Sequence, residues 1–256
     1  MILRPHIKSI GLASGVAAAC FALAQTAALA GFDPYTPRST GYDYSYVQCG
    51  AAAPGGSFGV VGLNAGYPFT YYNNCLAAEF ANAGQTGNAA LYVNTGYDPS
   101  YTAIDGRHAT QACMDQSATV QATSAQQAAW AVGCSEAERD LAYASSQSAT
   151  SPTMWWLDVE TANSWSTTDL SLNRFTIQGL IDRLRVATSA PVGVYSTSAQ
   201  WQSITGGFHP SVDADWLATG QGNRKRAARY CSLAGFTGGP IWLVQYVAVY
   251  DHDYAC

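Results

Sequence analysis

The chain has 256 residues, with 12 Lys and Arg against 17 Asp and Glu for a formal charge of −5, and only 11% of its residues are charged. An acidic, charge-poor chain offers no basic footprint for nucleic acid. Its length suits one α/β barrel, and no repeat period, coiled-coil heptad or second apolar span divides it.

Residues 1–30 read as a secretory signal peptide. Arg4 and Lys8 precede an apolar stretch, and Ala28, Leu29 and Ala30 supply small residues before a cut. Cys20 offers the alternative of a lipid-bearing residue, but the apolar segment runs on past it. Cleavage after Ala30 starts the mature chain at Gly31, removes Arg4 and Lys8, and leaves 10 basic against 17 acidic residues. The expected product is secreted, extracellular and monomeric, with no stable membrane insertion. Cys49, Cys75, Cys113, Cys134, Cys231 and Cys256 then remain, an even set better suited to bridges than to a metal, since no C-x-x-C pair or clustered His accompanies them. Nearest-neighbour pairing closes the shortest loops: Cys49 with Cys75, Cys113 with Cys134, and Cys231 with Cys256.

In chain order, short apolar runs at 58–63, 89–93, 154–159, 191–195, 216–218 and 241–246 read as strands. Between them, 72–83, 135–146 and 173–187 carry apolar residues at helical spacing. Repeated strand–helix alternation predicts a single-domain α/β fold over 31–256, a disulfide-stapled (β/α) TIM-type barrel. An open doubly wound sheet is the alternative, but no Gly-rich phosphate turn follows any strand. The polar stretch 97–133 reads as an excursion stapled onto the barrel.

Asp158 and Glu160 close the strongly apolar run at 154–159, where strand alternation aims both carboxylates at one face. Neighbouring carboxyls separate in pKa, which gives an acid and a base for glycosidic cleavage. Other acids two apart have plainer readings. Glu136, Glu138 and Asp140 are expected on a solvated helix face, and Asp213 and Asp215 in a loop or cap. Arg224, Lys225, Arg226 and Arg229 read as a solvated helix face or as a grip on an anionic polymer. The abundant Tyr, Trp, Ser, Thr, Asn and Gln favour a carbohydrate ligand. No Gly-x-Ser-x-Gly turn, metal pattern or phosphate loop competes, and no cofactor is expected.

Four stretches resemble glycoside hydrolase family 25, the lysozyme-type muramidases, and their relatives: Gly41-Tyr42-Asp43-Tyr44-Ser45-Tyr46-Val47-Gln48; Leu157-Asp158-Val159-Glu160; Val192-Gly193-Val194-Tyr195-Ser196-Thr197 with Trp201; and Val244-Gln245-Tyr246 leading to Asp251. The resemblance spans nearly the whole mature chain. It implies a modified barrel and hydrolysis of peptidoglycan, with Glu160 as general acid/base, Asp158 orienting the substrate's acetamido group, and Asp43 and Asp251 lining the cleft. At the chain's end, Asp253 is the alternative to Asp251, with His252 between them as a bystander. Tyr195 and Tyr246 are candidate subsite rings, and Asn64 and Asn94 candidate partners for sugar hydroxyls. The second and third strands end in Asn64-Ala65-Gly66 and Asn94-Thr95, where the family has an acid and an aromatic–His pair. These departures keep two other readings open: a non-catalytic barrel that binds wall glycan, and a glycosidase for another polysaccharide.

Overall fold

The computed structural model describes residues 31–248 and 250–256, so the expected signal segment and Cys20 lie outside the described residues. Eight strands form a closed barrel in chain order. They are β1 (Thr40–Tyr44), β2 (Gly59–Gly62), β3 (Ala89–Asn94), β4 (Trp155–Asp158), β5 (Val192–Ser196), β6 (Ala214–Gln221), β7 (Ile241–Val247) and β8 (Asp251–Ala255). The helices are α1 (Leu76–Gly84), α2 (Gln111–Ser117), α3 (Ser124–Ser146), α4 (Leu170–Ala187), α5 (Ser198–Thr205) and α6 (Arg224–Ala227). β1 to β7 are parallel, and β8 runs antiparallel to both β7 and β1. The expected barrel is therefore present. Its last strand corrects the sequence reading, which left Asp251 and Asp253 beyond the final strand. β8 fills the gap between β7 and β1, so neither strand keeps an unpaired edge.

Alternation sorts each strand into an inward and an outward row. Tyr35, Phe58, Val60, Ala90, Met154, Trp156, Ala214, Trp216, Trp242 and Leu243 make the inner core, with Tyr92 and Tyr195 above them. Small residues admit these rings. A Cβ on Gly41 would fall 2.3 Å from the Phe58 ring, one on Gly193 2.3 Å from Trp156, and one on Gly62 2.6 Å from Tyr92. The interior is thus a packed core that turns polar only at its upper end.

The outward row, including Val61, Leu91, Val93, Trp155, Leu157 and Val194, packs on helix residues such as Leu76, Ile177, Leu180, Ile181 and Leu184. α3 begins at Ser124, well before the expected 135. Thr123 and Gln126 form a reciprocal capping box, and the Cys113–Cys134 disulfide ties α2 to α3. Half of the polar excursion is therefore helical. Cys49–Cys75 and Cys231–Cys256 complete the nearest-neighbour pattern.

Two acidic readings change. Glu136 and Asp140 stand four residues apart on one face of α3 and are 1% and 2% exposed, not solvated. Glu136 Oε2 accepts from Thr95 Oγ1 (2.8 Å), and burial with mutual repulsion raises the Glu136 pKa well above its ordinary value. Asp213 and Asp215 are buried clamps rather than solvated loop acids. Asp213 accepts from the Gly31 and Val192 amides (2.7 and 2.8 Å), and Asp215 from the amide and hydroxyl of Thr237 (3.0 and 2.7 Å). The basic run on α6 is exposed.

α3 and α4 cross at Gly133 and Gly179, where an added Cβ would fall 1.9 Å from Thr176 O and 2.0 Å from Trp130 O respectively. Gly→Ala in a helix interior ordinarily stabilises by about 1 kcal/mol. Here steric overlap with a backbone carbonyl outweighs that gain. Gly179→Ala is expected to destabilise the protein by about 3 kcal/mol, read as a lowered midpoint in urea unfolding.

Candidate active site

At the carboxyl ends of the parallel strands lies a pocket of about 140 Å³ lined by Asp43, Tyr92, Asp158, Glu160, Tyr195, Trp216, Gln245 and Asp251. Asp43, Asp158, Glu160, Asp251 and Tyr195, singled out from four separate stretches of sequence, meet there. Asp43 and Asp158 end inward rows on β1 and β4, Glu160 stands two residues beyond Asp158, and Asp251 opens β8.

Hydrogen bonds cross the mouth. Tyr195 Oη donates to Gln245 Oε1 (2.9 Å), and Gln245 Nε2 donates to Asp43 Oδ2 (3.0 Å). Asp253 is fully buried and accepts from Trp216 Nε1 (2.7 Å). Both acids of β8 therefore serve the site: Asp251 lines the pocket, and Asp253 stands two residues further along the same inward face.

So many carboxyls in one low-dielectric space cannot all be ionised. Burial, then the Asp251 charge, raises Asp43 to about 7, against the opposing hydrogen bond from Gln245. Burial and the Asp43 charge hold Asp253 well above the carboxylate range. Asp158 is raised strongly by burial, then by the Glu160 and Asp43 charges. Asp158 Oδ1 is buried without a hydrogen-bond partner among the described residues. Burial raises Asp251 as well, and His252 offsets part of that rise.

Glu160 is positioned by its own segment. Ser196 Oγ holds the Val159 carbonyl (2.7 Å), and Trp165 Nε1 holds the Glu160 carbonyl (2.8 Å). Gln200 Oε1 accepts from the Thr161 amide (2.6 Å) and hydroxyl (2.9 Å). With its oxygen so committed, the Gln200 amide must turn its NH2 toward Glu160 Oε1, at 3.3 Å.

Three expected substrate contacts are placed differently. Tyr246 faces out of the barrel, packed with Leu217, Ile241 and Val244 and stacked on His252 at 5.4 Å. It does not line the pocket. Asn64 is buried and clamps β2 to β3: its Oδ1 accepts from the Asn94 amide (2.9 Å) and from Asn94 Nδ2 (3.2 Å), and its Nδ2 donates to Asn94 O (2.8 Å). Its side chain is spent on backbone. Asn94 shares register with Asp158 in the inward row but stands outside the pocket lining. The sequence reading gave no role to Trp216, Gln245 or Gln200, and held Asp253 only as the alternative to Asp251. Inward parity near the strand ends is the signal that Tyr92, Trp216 and Gln245 carry. Among the described residues, the one grouping with metal-ligand spacing, Cys113, Cys134 and Glu138, has its sulfurs joined in a disulfide and offers no thiolate.

A family model described as Lys-1, lysozyme-like protein 1, matches residues 90–237. The chain belongs to this lysozyme-like family. The matched segment carries Asp158, Glu160, Tyr195 and Gln200 of the site. Among solved structures, the bacterial lysozyme from Streptomyces coelicolor aligns at 16% identity and TM-score 0.52, over 86% of this chain and 93% of its own. The muramidase from Trichobolus zukalii aligns at 15% identity and TM-score 0.50, over 85% and 93%. At these identities the two structures share the barrel fold. No curated protein matches the sequence. The expected lysozyme-like reading thus stands on the family model, and the expected barrel on the two structures.

Because Asp43 has a pKa of about 7 in this lysozyme-like barrel against an ordinary 3.8, the folded state holds that proton more tightly than the unfolded chain. The stability it contributes is complete below the ordinary carboxylate range and is lost as pH rises through about 7. Thermal unfolding followed across neutral pH is expected to show a falling midpoint in the wild type and a shallower fall in Asp43→Asn.

Proposed function

We propose that this lysozyme-like protein cleaves the glycan strands of peptidoglycan with Glu160 as the proton donor. The meeting of Asp43, Asp158, Glu160 and Asp251 in one pocket at the mouth of the barrel carries the reading. Glu160 is less buried than Asp158 and stands at the pocket wall, with Gln200 orienting its carboxyl. From there it donates a proton to the glycosidic oxygen as the bond to the anomeric carbon breaks. Asp158, deeper and with one free oxygen, orients the acetamido group. The acetamido oxygen or a carboxylate meets the positive charge at the anomeric carbon. Water then adds there, and Glu160 takes the proton back. Tyr195, bonded to Gln245, offers its ring and phenol to the sugar at this step.

The reading includes export with cleavage after Ala30 and action as an extracellular, monomeric single domain over 31–256. Three disulfides support it, and among the described residues no helix is long and apolar enough to cross a membrane.

Reducing-end release from purified peptidoglycan by the oxidised protein, with product masses recorded, tests the reading. Glu160→Gln is expected to lose roughly 10²–10⁴-fold in rate with folding and glycan retention intact. Full activity in that variant defeats the assignment. No release by either protein, with both retained on the wall material, selects a non-catalytic glycan-binding barrel. Muramic-acid-terminated products separate a muramidase from a glycosidase acting on another polysaccharide.

Gln200→Ala removes one hydrogen bond to the donor and leaves its burial unchanged. It is expected to lower kcat roughly ten-fold with KM little altered, in steady-state assays on soluble glycan fragments.

A further inference from the structure

Six of the ten large apolar side chains left exposed among the described residues stand on one arc of the barrel mouth. Tyr46 and Val47 follow β1, Tyr67 and Tyr71 follow β2, and Val247 and Tyr250 lie at the turn from β7 to β8. The strand order β7-β8-β1-β2 makes these three loops neighbours. Tyr71 is 64% exposed, Tyr67 49% and Tyr46 46%. Large rings held in water on adjacent loops form a patch of the kind that marks a binding surface rather than scattered surface residues.

The patch is built rather than loose. Cys49–Cys75 joins the loop after β1 to the loop after β2. The β2 loop folds back on itself, with the Ala65 amide on Tyr71 O (3.0 Å), the Asn73 amide on Leu63 O (2.9 Å) and Asn73 Nδ2 on Gly62 O (2.8 Å). The rings flank a groove of about 500 Å³ lined by Tyr46, Ala65, Tyr67, Tyr71, Tyr72 and Asn74. That groove adjoins the catalytic pocket in the barrel: Asp43, which lines the pocket, stands three residues before Tyr46, and Tyr92, another wall of the pocket, pairs in register with Gly62 at the end of β2. From Tyr44 to Ala78 the chain contains no Asp, Glu, Lys, Arg or His. The groove lining therefore gives no pairing for a carboxylate or ammonium group, and His108 with its partner Asp105 stands at the edge of the loop against Phe69. Flat rings with phenolic hydroxyls at their edges suit the apolar faces and equatorial hydroxyls of uncharged pyranose rings.

We propose that this tyrosine arc is a saccharide platform that holds uncharged sugar rings of the glycan strand beyond the cleavage pocket, a reading that rests on the glycan substrate proposed above. The stapled loops present the rings in place before the glycan arrives, so little side-chain ordering remains to be done on binding. The platform recognises the glycan strand, not the charged stem peptides attached to it.

The test uses the full oxidised protein carrying Glu160→Gln, so that glycan is bound without turnover, and measures retention on two insoluble probes: intact peptidoglycan sacculi, and chitin, an uncharged chain of N-acetylglucosamine that carries no peptide. Tyr67→Ala/Tyr71→Ala is expected to weaken retention on both probes by roughly ten-fold or more, since two stacking rings are lost together. Tyr67→Phe/Tyr71→Phe keeps the rings and is expected to keep most of the retention. Both side chains are solvent-exposed, so neither substitution opens the core. Unchanged retention in the alanine variant overturns the proposal, and so does a loss confined to sacculi, which would assign the arc to the stem peptide. A wild type that releases no reducing ends from sacculi, beside tyrosine-dependent retention on chitin, removes the cleavage reading and leaves the platform standing.

Discussion

The geometry of the mouth depends on one strand running backwards. β8 enters from the mouth, antiparallel to β7 and β1, and its register sets Asp253 beside Gln245 on one side and Gly41 on the other. A parallel strand in the same gap would need a crossover around the barrel and would point its first residues at the closed end. Reversal instead brings Asp251 to the pocket wall and Asp253 beneath it, next to Asp43. The chain of bonds from Tyr195 through Gln245 to Asp43 exists because β7, β8 and β1 meet in this order.

The same arrangement is costly. Asp43, Asp158, Asp251 and Asp253 share a space walled by Tyr92, Tyr195 and Trp216, and each is held above its ordinary pKa. A barrel selected for stability alone would fill this layer with aliphatic side chains, as its lower layers are filled. Protons kept on buried carboxyls and hydrogen bonds from Trp216 and Gln245 offset part of the penalty. The rest is carried by the packed aromatic core below and by the helices outside, an instance of an active site that trades stability for chemistry.

The six apolar strands were legible because parallel barrel strands are buried on both faces and read as continuous apolar runs. The Asp158/Glu160 pair was legible for a related reason, since acids at the end of such a run have few structural uses. β8 was not, because Asp251, His252 and Asp253 dilute any strand signal, and their inward parity matters only once the barrel closes. Tyr246 was misplaced by one residue of phase: Gln245 has the mouth-facing parity on β7, and sequence alone gave no anchor for it. The buried Glu136 and Asp140 run against the rule that helix acids face water, and the early start of α3 is masked by Ala and Gln with little apolar period. Asn64 looked like a ligand residue because its partner, the Asn94 backbone, is thirty residues away in sequence.

The placement of Cys256 has a mechanical consequence. It directly follows β8, and its bond to Cys231 places β8 inside a covalent loop that spans 25 residues. With both ends of β8 fastened, one by the turn from β7 and one by sulfur, the acids it carries behave as part of the barrel wall. The tie holds them in place, and the repulsion among the carboxyls has no cheap route of escape.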